Sequence, residues 1–125
     1  MALHILTESP EPTTMTLILE GHLDAVTSPD LERFTSHLGT EVKTLVFDLG
    51  KLSYISSAGL RIFAKARKTM HSREGKVCFV NLSPQVQKVF DIVKVVPYED
   101  IFRNDEELDA YLEMMQRKVS EDDMG

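Results

Sequence analysis

The spacing of apolar residues changes several times along the chain, and each change predicts an element. Leu3 to Leu6 forms a short first strand, and residues 7 to 14, with Pro10 and Pro12, form a loop. Met15 to Glu20 is a second strand, hairpin-paired with the first, and Gly21-His22-Leu23-Asp24 ends it. Thr27-Ser28-Pro29-Asp30 has the chemistry of a helix start: a hydroxyl cap, a proline at the first helical position and an acid in the first turn. Leu31, Phe34 and Leu38 then lie on one stripe, and Gly39 suits the stop. The run Leu45 to Phe47 marks a buried strand over 43–48, punctuated by Asp48 and Gly50. Ser56 and Ser57 open a helix over 57–71, with Leu60, Phe63, Ala64 and Met70 inward and Arg61, Lys65 and Lys68 on a solvated face. Gly75 turns the chain into a strand from Lys76 to Leu82. Ser83-Pro84 begins a helix with Val86, Val89, Phe90 and Val93 inward. Val95 to Tyr98, with Ile101-Phe102, suits a proline-interrupted edge strand. Asn104 or Asp105 caps a last helix carrying Leu108, Tyr111, Leu112 and Met115. Residues 119–125 read as a frayed polar tail.

Strands alternating with helices predict an α/β fold with a mixed, mostly parallel sheet of four to five strands and about four helices. Residues 1–118 make one domain, a size that 125 residues with 42% hydrophobic content can fill. In an open α/β sheet the carboxyl ends of parallel strands share one rim, where ligands and partners engage. That rim would gather Asp24, then Ser53, Ser56 and Ser57, then Asn81 and Ser83.

Charge narrows the function. A formal net charge of −6 disfavours nucleic acid and anionic membranes as partners. No stretch is apolar for long enough to span a bilayer, and the N-terminus lacks the basic region of a secretory signal, so the chain reads as cytoplasmic. The single cysteine, Cys78, sits in an apolar run and reads as a small buried side chain.

A search for catalytic chemistry finds little. A serine nucleophile needs a base within hydrogen-bond reach, and of the four histidines only His22 falls near the rim. The Gly-x-Ser-x-Gly elbow, the phosphate loop, the dinucleotide fingerprint and zinc-ligand spacings are all absent. The chain therefore reads as a protein without enzymatic activity, cofactor or metal. Ser56 and Ser57 read as helix caps, and at an exposed rim a cap hydroxyl is also open to a kinase. A phosphate there would meet unpaired N–H groups and the positive end of the helix dipole, so the free domain is expected to tolerate it without refolding.

Across residues 14 to 115 the sequence resembles the anti-sigma-factor antagonists, bacterial single-domain members of the STAS fold. The resemblance rests on Gly21-His22-Leu23-Asp24, on the strand ending at Asp48-Leu49, and above all on Leu52-Ser53-Tyr54-Ile55-Ser56-Ser57-Ala58-Gly59-Leu60. A weaker echo lies in Val80 to Val86 and Val89-Phe90. The resemblance implies a partner switch. The unphosphorylated protein binds an anti-sigma factor that is also an ATP-dependent serine kinase, which frees the sigma factor. The kinase then phosphorylates one serine, and a serine phosphatase restores the binding form. An alternative in the same fold is a scaffold or regulator of a stress or secretion-control complex with an output other than a sigma factor. Aligning Gly59-Leu60 with the family motif puts the phosphoacceptor at Ser57, with Ser56 the second choice. Ser56 stands where the family has an aspartate, and Ala58 where it often has a hydroxyl residue. The implied partner-binding residues are Asp24, Ser56, Ser57, Gly59 and Arg61.

Overall fold

The computed structural model describes residues 2–95 and 104–124. Its elements run β1 (Leu3–Glu11), β2 (Thr14–Leu23), α1 (Ser28–Ser36), β3 (Thr44–Ile55), α2 (Ser57–Ser72), β4 (Lys76–Val80), α3 (Pro84–Val95) and α4 (Asp105–Met124). The four strands form one sheet in the order β1-β2-β3-β4. β1 pairs antiparallel with β2, and β2, β3 and β4 run parallel. The mixed, mostly parallel α/β fold is therefore the one expected. Of the last strand read in the sequence, Val95 belongs to α3, and Tyr98, Ile101 and Phe102 lie outside the described residues.

β3 departs most from expectation. It does not stop at Asp48 but continues through Gly50 to Ile55. Its register against β2 shifts between Ile18 and Glu20 and again between Gly21 and His22, each time with one extra residue on β3. Leu45, Phe47 and Leu49 are buried at the ordinary spacing of two, whereas Leu52 and Ile55 follow at spacings of three. Each bulge inserts one residue and resets which face points inward. The Asp48 carboxylate accepts the Gly50 N–H at 3.1 Å, a local turn built into a strand that continues. Ser53 consequently sits on β3 rather than in a loop, and its hydroxyl donates to the Gly21 carbonyl at 3.0 Å.

The core packs the inward face of each helix against the sheet or its neighbouring helices. Phe47, Phe63, Phe79 and Phe90 form an aromatic cluster with ring centroids 4.8 to 6.1 Å apart. On α2 the inward residues are Leu60, Ile62, Phe63, Ala66 and Met70, and Ala64 faces solvent. Phe34 of α1 is 41% exposed, at an apolar groove of about 360 Å³ that it shares with Met15, Leu17 and Leu38. Cys78 is half-buried on the short strand β4. α4 extends through residues 119–124 as helix. Among its described side chains, Leu108, Leu112 and Gln116 are buried.

Candidate functional site at the strand ends

The ends of β2 and β3 are level, since Leu23 pairs with Ile55. Beyond them the chain turns into α1 and α2. The Ser56 N–H donates to the Leu23 carbonyl at 2.9 Å, tying the two turns together. Gly59, in the first turn of α2, is buried against the same two strand ends. A Cβ at this position would lie 2.7 Å from Leu23 Cγ and 2.9 Å from Ile55 Cγ1. Glycine is needed here for close helix–strand approach, so it shapes the rim from beneath.

Asp24 organises the turn after β2. Its Oδ1 accepts the Val26 N–H at 3.0 Å, the Thr27 N–H at 3.1 Å and the Thr27 hydroxyl at 3.2 Å. Thr27 occupies the N-cap position of α1, but its hydroxyl makes no cap bond to the helix. It also donates to the His22 carbonyl at 2.8 Å and accepts the Asp24 N–H at 3.0 Å. The cap chemistry legible in the sequence thus serves the turn. Val26, at its tip, is 83% exposed.

The start of α2 is capped, but not by its own serines. Ser56 is the N-cap residue, and its hydroxyl bonds no helix N–H. Among the described residues that hydroxyl is buried without a hydrogen-bond partner. The N–H of Ser57 instead donates to Asp109 Oδ1 of α4 at 2.8 Å. Two turns further along α4, the Gln116 carboxamide pairs with both backbone groups of Ile55. Oε1 accepts the Ile55 N–H and Nε2 donates to its carbonyl, each at 2.8 Å. Ser57 is only 3% exposed. The expectation of an open, anion-ready helix end is corrected: a carboxylate of this chain already holds its first N–H.

Tyr54 registers the electrostatics of the rim. It stacks on His22 with ring centroids 5.5 Å apart. Burial pushes its pKa above the ordinary 10.0, and the negative charges of Glu113, Asp109 and Asp24 push it further, against a smaller opposing effect of Arg117. Arg117 is itself ion-paired with Glu113. Acids from the β2 turn and from α4 therefore share one field around the strand ends.

The other predicted rim residues fall elsewhere. β4 ends opposite Asp48, well short of Ile55, so Asn81 and Ser83 lie lower on the sheet. Asn81 packs beside Gly50, and the Ser83 hydroxyl donates to the Leu52 carbonyl at 3.1 Å. Arg61 is exposed one turn into α2, and Lys65 of the same face pairs with Glu32 at 3.1 Å. Asp109 and Gln116 were not singled out in the sequence. In the sequence Gln116 continues the Leu108, Leu112 spacing of four, whereas Asp109 stands outside it.

With this geometry established, comparison with known proteins gives the family. The STAS domain model matches residues 5–108. The chain belongs to the STAS domain family. Over 71 residues this STAS domain is 37% identical to BtrV of Bordetella bronchiseptica, a candidate anti-sigma factor antagonist, covering 54% of this chain and 61% of BtrV. It is 30% identical over 77 residues to the anti-sigma-B factor antagonist of Listeria monocytogenes, covering 61% of this chain and 68% of that protein. Both of these relatives carry the name of anti-sigma factor antagonists. Among solved structures, unphosphorylated SpoIIAA matches with a TM-score of 0.62 at 22% identity, covering 71% of this chain and 83% of that one. An anti-sigma factor antagonist from Mycobacterium paratuberculosis matches with a TM-score of 0.64 at 23% identity, covering 77% and 84%. These structural likenesses establish the shared fold. No helix among the described residues is long and apolar enough to cross a membrane.

Proposed function

We propose that this STAS domain is a phosphorylation-controlled partner switch. Unphosphorylated, it binds an anti-sigma factor that is also an ATP-dependent serine kinase, and the sigma factor is released. The carrying observation is the position of Ser57, the first residue of α2, where β3 hands over to the helix beside the Asp24 turn. The exposed Val26 and the acids around Tyr54 supply a surface next to it.

In the transfer, Ser57 Oγ forms a bond to the γ-phosphorus of ATP. The bond from that phosphorus to the β,γ-bridging oxygen breaks, ADP leaves, and the hydroxyl proton passes to a base of the kinase. The product carries about −1.5 to −2 added charges. At a rim that already holds Asp24, Asp109 and Glu113, the new charge repels acidic partner groups and adds bulk at the interface. Binding weakens by at least about 3 kcal/mol, roughly a hundredfold. A serine phosphatase reverses the modification by hydrolysis.

The test is phosphosite mapping by mass spectrometry after co-expression with the cognate kinase, with Ser57→Ala as control. Partner dissociation constants are then measured for both forms. The expected result is phosphate on Ser57 and at least a hundredfold weaker binding of the modified form. Phosphate on neither Ser56 nor Ser57, or equal affinities, overturns the reading.

A further inference from the structure

We propose that α4 is a latch over the phosphoacceptor, and that a negative charge on Ser57 and the Asp109 carboxylate exclude one another from the start of α2. The regulatory meaning of the latch rests on Ser57 being the acceptor; its physical basis does not. Asp109, Leu112 and Gln116 lie at spacings of three and four, so they share one face of α4. Asp109 holds the first N–H of α2, Gln116 holds the N–H and carbonyl of Ile55, and Leu112 between them is 2% exposed. A kinase must bring the serine hydroxyl to the γ-phosphorus of a nucleoside triphosphate, which a residue 3% exposed cannot do in place. Local release of α4 therefore precedes modification.

Once the phosphoryl group is attached, the latch cannot close as before. Phosphate oxygens and the Asp109 carboxylate compete for the Ser57 N–H, and as like charges they repel at close range. Asp109 thus supplies a carboxylate at the helix start from a distant helix, where Ser56 leaves the adjoining position uncharged. The modified state is one in which α4 has loosened its hold on Ile55. Partners could then read the position of α4 as well as the phosphate itself.

The experiment uses the full chain and needs no kinase. Ser57→Asp places a fixed carboxylate at the acceptor, and amide hydrogen exchange is followed by NMR with and without Asp109→Asn. The Ile55 N–H is the reporter, since Gln116 of α4 is its acceptor. Ser57→Asp is expected to speed exchange at Ile55 and through α4 by at least about tenfold, and adding Asp109→Asn is expected to restore protection. If Ser57→Asp folds only in the Asp109→Asn background, the same coupling is seen in a stronger form and the latch stands. Equal exchange with and without the Ser57 charge, equal effects in both backgrounds, or failure to fold in both overturns it. Because these outcomes involve no kinase, phosphate mapping to another residue would overturn the functional reading and leave the charge coupling separately decided.

Discussion

The side-chain amide of Gln116 completes both backbone hydrogen bonds of Ile55, acting as a one-residue strand at the end of β3. Its Nε2 also donates to the Leu112 carbonyl at 3.1 Å, so the carboxamide orientation is fixed within α4. Gln116→Ala would leave a buried N–H and a buried carbonyl unpaired, at a cost of about 2–4 kcal/mol. Denaturant titration of wild type and variant measures it. A loss below about 0.5 kcal/mol would mean that water replaces the amide and that α4 contributes little there.

Gly59 provides a second test, of backbone approach. In Gly59→Ala the new methyl must displace Leu23 and Ile55, which are both fully buried. Overpacking of this kind costs about 1–3 kcal/mol, and in a domain of this size about 1 kcal/mol lowers the melting temperature by roughly 4 °C. Thermal unfolding should show the loss, and Leu23→Ala in the same chain should relieve part of it through a non-additive cycle. Strict additivity would place the strain somewhere other than this contact.

Tyr54 makes the acidity of the rim measurable. Its folded-state pKa is raised, so above about pH 10 the unfolded chain releases the proton first and binds fewer protons than the folded one. The contribution is fully present below the ordinary tyrosine pKa and is lost as pH rises through the raised value. Stability should fall with pH in that window, and Tyr54→Phe should remove this part of the fall. Glu113→Gln should bring the tyrosinate absorbance titration back toward the ordinary value. A Tyr54 titration unmoved by Glu113→Gln would show that Glu113 is not among the groups that raise it.

The contrast between what the sequence disclosed and what it hid has a physical origin. Alternating strands and helices gave the α/β layers, because periodicity reports one residue's neighbours along its own element. The positions of Asp24 and Ser57, just past the ends of β2 and β3, are legible because the signals that end a strand and start a helix are local. The far half of β3 is hidden in the sequence because two bulges replace the spacing of two with spacings of three, while Asp48 and Gly50 display ordinary turn chemistry. Period alone points Ala64 and Phe34 inward; the real faces depend on how far each helix is rotated over the sheet. Asp109 and Gln116 were hidden for a different reason. A polar side chain on an amphipathic helix looks solvated until the backbone group that it serves, more than fifty residues earlier, is brought beside it.

β3 reaches Ile55, whereas its pairing with β4 stops at Asp48. On that flank, the described groups that close its backbone are the Ser83 hydroxyl at Leu52 and the Gln116 amide at Ile55. The family match ends at Leu108, inside α4 and ahead of Leu112 and Gln116. A fragment trimmed to that boundary would keep the apparent domain and lose the seal on its longest strand. Exposed backbone donors and acceptors beside apolar side chains are a template for strand addition, so such a fragment is expected to aggregate. For anyone dissecting or fusing this domain, the practical limit of the folding unit lies beyond Gln116.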